Sequence, residues 1–181
     1  MLYPLDSRFL DAEDGTPFER CMVCDKSVIT SGEDYFIERI FRRLPENEGA
    51  TEALFEYAMC ARCADDLRKK LSEASKVSIE QLFTDRLNSK QMLGIEESTK
   101  YCLLTGKPID QALEFSYHAH CNRDRLIHSF FPYAISDDGM DEIGALLSDE
   151  TLGFLDDFKG RHFSGPPELA DFLKPKRLIP L

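Results

Sequence analysis

The sequence has no hydrophobic run long enough to span a bilayer as a helix. Near the N-terminus, Asp6, Arg8 and Asp11 interrupt the apolar residues before a core of signal-peptide length can form. Glycine-rich loops of the kind that bind phosphate are absent, and the net charge of −11 comes from acidic residues spread over both halves of the chain. These absences predict a soluble cytoplasmic protein that does not span a membrane and is not a general binder of polyanions.

Cysteine, in contrast, is well represented, with six residues in the chain. In a reducing compartment cysteines serve more often as metal ligands or free thiols than as disulfides. Two CxxC pairs complete a tetrahedral shell of four thiolates, which suits Zn²⁺. A redox CxxC is the competing interpretation, but such a pair usually stands alone after a strand, and it would not explain the second pair. We therefore predict a structural Zn²⁺ held by Cys21, Cys24, Cys60 and Cys63.

The residues around these pairs predict their local structure. DYFIERIF (34–41) and FEYAM (55–59) favour the two strands of a hairpin, and ADDLRKKLSEAS after Cys63 favours a helix. A CxxC knuckle, a hairpin and a cysteine pair at the start of a helix resemble the treble-clef class of zinc fingers over residues 18–75. The resemblance implies a fold and no particular activity.

Two stretches recur later in the chain in the same order. RCMVCDKSV (20–28) resembles YCLLTGKPI (101–109), and FEYAMCARC (55–63) resembles LEFSYHAHC (113–121). Chance similarity of short apolar runs is the alternative to a duplicated unit with a hairpin of variable length. In a second copy aligned this way, the four ligand positions are Cys102, Thr105, His118 and Cys121.

Histidine is a good zinc ligand, but the hydroxyl of Thr105 is a poor one. The second copy is therefore a relic without metal, a site completed by another ligand, or a site whose fourth position holds a reactive water. The ligands that could complete it are His120, Asp124, His128 and His162, and the nearby candidate bases are Glu114, Asp124 and His120. The three candidate bases match Glu56, Asp66 and Arg62 beside the closed first site, so we assign no catalytic residue.

Helical patterns complete the expected architecture. VSIEQLFTDRL (77–87) predicts a helix, Ser148 begins a second helical pattern, and Pro166-Pro167 begins a third. The 181 residues suit one domain or two small ones. We predict an α+β fold of two treble-clef-like zinc-finger lobes, a first at 1–97 and a degenerate second at 98–181 that carries additional C-terminal helices.

These expectations favour a zinc-binding scaffold or adaptor that acts by binding another protein, and not an enzyme. One alternative is a zinc-dependent hydrolase that uses Cys102, His118 and Cys121. The other is a nucleic-acid-binding zinc finger that uses basic clusters at 39–43 and 68–70, although acidic residues interleave with both clusters.

Overall fold

The computed structural model describes residues 1–12, 14–46, 49–88, 94–129 and 131–162. Within these residues six strands form one antiparallel sheet in the order β1-β5-β4-β2-β3, with β6 also paired to β4. The strands are β1 (Leu2–Pro4), β2 (Asp34–Arg43), β3 (Thr51–Cys60), β4 (Glu114–Asn122), β5 (Arg125–Ile127) and β6 (Tyr133–Ser136).

Five helices accompany the sheet in the described residues, so the fold is a mixture of α and β structure. They are α1 (Ala61–Arg68), α2 (Glu73–Asn88), α3 (Ile95–Ser98), α4 (Asp137–Gly144) and α5 (Asp149–His162). The helices α1 and α2 follow β3, and α4 and α5 follow β6. Two hairpin strands are thus each followed by a pair of helices.

The predicted hairpin is confirmed: β2 pairs antiparallel with β3. Aromatic and β-branched residues make up half of β2, and in β3 the aromatic Phe55 and Tyr57 alternate with Glu56. The register sets Tyr35 opposite Cys60 and Glu38 opposite Tyr57. Because Cys60 is the last residue of β3, the hairpin carries the second cysteine pair to the start of α1.

The second edge of β2 pairs with β4, so strands from both predicted domains belong to the same sheet. Glu38 lies opposite His118 near the middle of this pairing. The division into 1–97 and 98–181 stays a prediction, but the sheet is continuous across it.

One local expectation needs correction. In a second lobe aligned on the first, a helix is expected after Cys121, as ADDLRKKLSEAS follows Cys63. Instead, β4 continues to Asn122 and the chain then turns into β5. Arg123 adopts a left-handed conformation with φ 52°, which closes this tight turn, and β5 gains a second partner in β1. Pairing of β5 on both edges stabilises strand over helix in this segment.

The helical predictions are mostly confirmed. Ser148 precedes α5, on which Leu155 and Phe158 are buried, and 77–87 lies within α2. The predicted helix after Cys63 is divided, because α1 ends at Arg68 and α2 begins after Ser72. The helix predicted after Pro166-Pro167 lies outside the described residues.

Among the helices described, none combines the length and the apolar character needed to cross a bilayer.

Candidate metal centre

The two CxxC pairs converge on one point. The sulfur atoms of Cys21, Cys24, Cys60 and Cys63 all lie within 4.8 Å of one another. The Sγ atoms of Cys24 and Cys60 are 3.8 Å apart, which is close to the roughly 3.8 Å edge of a tetrahedron with Zn–S bonds of about 2.3 Å. Cys21 and Cys60 are buried, and the other two are half-buried. The cluster is thus able to hold a metal ion with four sulfur ligands.

A tight turn positions the first pair. The Cys21 N–H donates to the Lys26 carbonyl at 2.9 Å, and the Asp25 N–H donates to the Cys21 carbonyl at 2.9 Å. Asp25 has φ 57°, a left-handed conformation that aspartate tolerates better than most residues. The turn directs both sulfurs of the pair to the same side of the chain.

The start of α1 positions the second pair. Cys60 is the N-cap residue of α1, and its N–H donates to the Cys21 sulfur at 3.4 Å. The Met22 N–H donates to the Ala58 carbonyl at 2.9 Å, which holds the knuckle against β3. The N-terminal end of a helix favours negative charge, but burial and the neighbouring thiols outweigh this effect, and they raise the pKa values of Cys60 and Cys63.

The thiols of the cluster affect one another's ionisation. Burial raises the pKa of Cys24, but hydrogen bonds from the Lys26 N–H and from the neighbouring cysteines outweigh it and lower the pKa to about 7. Burial, with contacts to Cys60 and Cys24, raises the pKa of Cys63 well above its ordinary value. Four crowded thiols therefore resist ionising together, and a bound divalent cation removes this resistance by compensating the negative charge.

The structure does not bring Cys102, His118 and Cys121 together. His118 and Cys121 are both on β4 at an odd spacing, so their side chains project from opposite faces of the sheet. The ring of His118 stacks on Tyr133 at 4.7 Å, whereas the Cys121 thiol is hydrogen-bonded to Tyr35 on the other face. Among the described residues, the four-cysteine cluster is the one group of three or more Cys, His, Asp or Glu ligands found this close together.

His118 belongs instead to a buried polar group in the middle of the sheet. Its Nε2 lies 2.8 Å from the Ser116 Oγ and 3.9 Å from the Glu38 Oε1, and burial lowers its pKa to about 3. Burial raises the pKa of Glu38 to about 8, although a hydrogen bond from the Tyr57 hydroxyl opposes this. At neutral pH a neutral imidazole therefore faces a carboxyl group that is largely protonated.

The other residues that the sequence offered as ligands or bases do not converge on Cys121. Two of them form ion pairs or hydrogen bonds with charged side chains: His120 with Asp34 at 2.9 Å, and Glu114, which accepts from Arg42 at 3.2 Å. Two others pack against aromatic rings, His128 edge-on against Tyr3 and His162 on Phe158. Asp124 lies exposed in the turn before β5. These contacts are typical of structural and surface residues. No catalytic group emerges from them.

The knuckle at 101–108 nevertheless repeats the hydrogen bonds of the first. The Cys102 N–H donates to the Lys107 carbonyl at 2.8 Å, and the Gly106 N–H donates to the Cys102 carbonyl at 2.9 Å. Gly106, with φ 73°, takes the left-handed place of Asp25. The predicted likeness between 20–28 and 101–109 therefore extends to the backbone.

The segment that docks on this second knuckle is not the one that the sequence comparison selected. The Leu103 N–H donates to the Ala134 carbonyl at 2.8 Å, so β6 and the start of α4 approach Cys102. The residues placed beside Cys102 are therefore Ser136 and Gly139. A signal existed in the sequence: FPYAISDDG (131–139) shares its Phe, Tyr and Ala with FEYAMCARC (55–63) at the same positions.

Comparisons of the chain with protein-family models, with curated proteins and with solved structures find no match. The functional argument therefore depends on the geometry of the chain itself.

Proposed function

We propose that Cys21, Cys24, Cys60 and Cys63 hold one structural Zn²⁺ in a treble-clef lobe, and that the protein is a cytoplasmic scaffold that acts by binding another protein. The observation that carries the proposal is the convergence of four sulfur atoms within 4.8 Å of one another. Four thiolates are the usual donor set of structural zinc, and soft sulfur ligands favour Zn²⁺ over Mg²⁺ or Ca²⁺.

A structural role follows from the donor count. Four protein ligands fill a tetrahedral shell, so no position remains for a reactive water or a substrate. The knuckle, the β2/β3 hairpin and the cysteine pair at the start of α1 support the treble-clef resemblance. In such a lobe the ion joins the knuckle to the helix and supplies much of the folding free energy.

The hydrolase alternative finds less support. It needs Cys102, His118 and Cys121 on one ion, and the strand geometry directs the last two to opposite faces. A strained or relocated β4 would be required to bring them together. We therefore propose a binding function and not hydrolysis.

Charge favours a protein partner over a nucleic acid. Five of the six cations in the two basic clusters have acidic or carbonyl partners: Arg39 with Glu56, Arg42 with Glu114, Arg43 with the carbonyls of Ile109 and Ala112, Arg68 with Asp65 and Lys69 with Asp66. The sixth, Lys70, lies over the ring of Phe154. With a net charge of −11, the chain repels a phosphate backbone. The six cysteines, all of which lie in the described residues, form no disulfide, and this suits a reducing cytoplasm.

The first test is the zinc content of the purified protein and of two variants. Wild type is expected to hold about one Zn²⁺ per chain, Cys60→Ser to lose it, and the matched control Cys121→Ser to retain it. Elemental analysis together with circular dichroism measures metal and folding on the same samples. Full zinc retention in Cys60→Ser would contradict the assignment.

The second test concerns the partner. Zinc-loaded wild type and Cys60→Ser are used as baits under the same conditions, and a specific protein is expected with wild type alone. Binding to random-sequence DNA and RNA is measured in parallel at low salt and is expected to be absent. Salt-sensitive binding of these nucleic acids would favour the nucleic-acid alternative.

A further inference from the structure

The two hairpins of the sheet share one register. In the first, Glu38 lies opposite Tyr57, and in the second, His118 lies opposite Tyr133. Glu38 and His118 in turn lie opposite each other where β2 pairs with β4. A local two-fold axis that passes between Glu38 and His118 therefore relates β2 to β4 and β3 to β6.

The same two-fold axis relates the helix pair α1 and α2 to the pair α4 and α5. Ser72 stands between α1 and α2, and Ser148 stands between α4 and α5. The Ser72 N–H donates to the Thr151 Oγ1 at 3.0 Å, and reciprocally the Ser148 N–H donates to the Ser75 Oγ at 2.9 Å. The two serine hydroxyls meet at 2.8 Å. The junction between α1 and α2 and the junction between α4 and α5 are thus joined by reciprocal, equivalent hydrogen bonds.

The hydrogen bonds around the four cysteines recur around Cys102 with oxygen in place of sulfur. The Sγ atoms of Cys24 and Cys60 are 3.8 Å apart, and the hydroxyl oxygens of Thr105 and Ser136 are 3.4 Å apart. Cys24 accepts from the Lys26 N–H, and Thr105 Oγ1 accepts from the N–H of Lys107 at 3.3 Å.

The thiol of Cys102 has the surroundings of the Cys21 thiol. The Cys60 N–H donates to the Cys21 sulfur at 3.4 Å, and the Ser136 N–H likewise bonds the Cys102 sulfur. Burial raises the pKa of Cys102, but hydrogen bonds from Ser136 and Thr105 outweigh it, so the pKa lies below its ordinary value. Like Cys60, Ser136 is the N-cap of the helix that follows.

The fourth ligand place falls on a glycine. Gly139 stands three residues after Ser136, as Cys63 stands three after Cys60, and its N–H donates to the Ser136 Oγ at 3.4 Å. A Cβ atom at Gly139 would lie 2.9 Å from the Cys102 Sγ and 2.9 Å from the Ile135 Cγ2. A fourth side chain at this place therefore requires the Cys102 and Ile135 side chains to move, and glycine permits the close approach that the structure shows.

We propose that residues 101–162 are a second copy of the unit 20–88, and that Cys102, Thr105, Ser136 and Gly139 occupy its metal-ligand places. This inference rests on the proposed zinc site of the first copy. In the second copy hydrogen bonds have taken over the role of the ion, and His118 and Cys121 are strand residues of the hairpin. The second centre thus has the backbone of a site for a thiophilic divalent cation but lacks three of the four thiols that such a site needs.

Hydrogen bonds connect the same elements in the second copy: the Ser136 side chain caps α4, and the Ser136 N–H bonds to the Cys102 sulfur. A hydroxyl is a poor Zn²⁺ ligand, so a centre with one thiol, two hydroxyls and a glycine has no adequate donor set. The knuckle and the helix stay joined because Ser136 bonds to both.

The experiment restores the missing thiols. The variant Thr105→Cys/Ser136→Cys/Gly139→Cys also carries Ile135→Met, which removes the Cγ2 atom near Gly139 and introduces the residue found at Met59. This variant is expected to bind one more equivalent of Zn²⁺ than wild type. Titration with Co²⁺ should double the absorption bands typical of tetrahedral thiolate coordination.

Two controls separate the explanations. Thr105→Cys alone completes the ligand set that includes His118 and Cys121, and it is expected to add no metal. His118→Ala is expected to leave the metal content of wild type unchanged. A second equivalent in Thr105→Cys, or a loss in His118→Ala, would overturn the assignment.

The restored variant must be folded for its metal content to count. Circular dichroism and retention of the first equivalent establish this, and a folded variant that gains no metal would also overturn the inference. If wild type holds no metal, the proposed function of the first centre fails, but the added equivalent still tests the second centre by itself.

Discussion

The two knuckle centres have nearly the same backbone and different side chains. Around Cys21 three further thiols converge, whereas around Cys102 the corresponding places hold two hydroxyls and a glycine. Both knuckles make the same backbone hydrogen bonds and have a left-handed residue at the same place. The comparison teaches that one knuckle backbone accepts two different sets of side chains: four sulfurs in the first centre, and one sulfur with two hydroxyls in the second.

The largest expected effect separates the two centres by chelation. Removal of the metal should abolish protection from hydrogen exchange at the first knuckle and α1, because metal binding at such sites contributes on the order of 10 kcal/mol. The second knuckle and α4 should keep more of their protection. Hydrogen-exchange mass spectrometry with and without chelator measures both regions in one sample. Equal protection of both knuckles after removal of the metal would show that the first centre does not depend on an ion.

A second prediction concerns the buried pair at the centre of the two-fold arrangement. The pKa of Glu38 is raised to about 8 from an ordinary value of 4.5, so the folded protein retains a proton that the unfolded chain loses. Its contribution to stability is therefore present below pH 4.5 and is lost as pH rises toward 8. Glu38→Gln should gain up to about 2 kcal/mol relative to wild type between pH 6.5 and 8.

His118 acts in the opposite direction. Its pKa is lowered to about 3 from 6.5, so stability is lost as pH falls below 6.5, and above that pH the effect of Glu38 stands alone. Urea unfolding of the zinc-loaded proteins across this range measures the difference. The matched control is Glu142→Gln, which removes a partly exposed partner of Arg86 and should follow wild type. A difference between Glu38→Gln and wild type that does not vary with pH would contradict the prediction.

The smallest expected effect is at the hydroxyl that replaces a ligand. Ser136→Ala should cost about 1 to 2 kcal/mol of unfolding free energy, since it removes the cap of α4 and the contact with Thr105, and should leave the metal content unchanged. Chemical denaturation and elemental analysis measure the two quantities. The control Ser98→Ala removes a hydroxyl that donates to the Ile95 carbonyl within a short helix. It is expected to lower the unfolding free energy by about 0.3 kcal/mol. If the two variants were equally stable, the proposed role of Ser136 in joining α4 to the second knuckle would be contradicted.

Sequence patterns predicted the local elements and missed their long-range assignment. The hairpin was predictable because 34–41 is rich in aromatic and β-branched residues and because Phe55, Tyr57 and Met59 alternate along 55–59. LEFSYHAHC resembles β3 in its letters, but its neighbours in the sheet give it the position of β2 in the second copy that we propose. Strand pairing between distant segments has no signal in a local window.

The sequence by itself determined the donor set of the first centre and the shape of both knuckles. The CxxC spacing and residues that accept a left-handed conformation, Asp25 and Gly106, act within a few residues, so local chemistry is sufficient. Only the tertiary structure decided which segment meets Cys102. Docking of β6 on the second knuckle depends on the pairing of β4 with both β2 and β6, and these long-range contacts place Ser136 beside the thiol and direct His118 into the sheet.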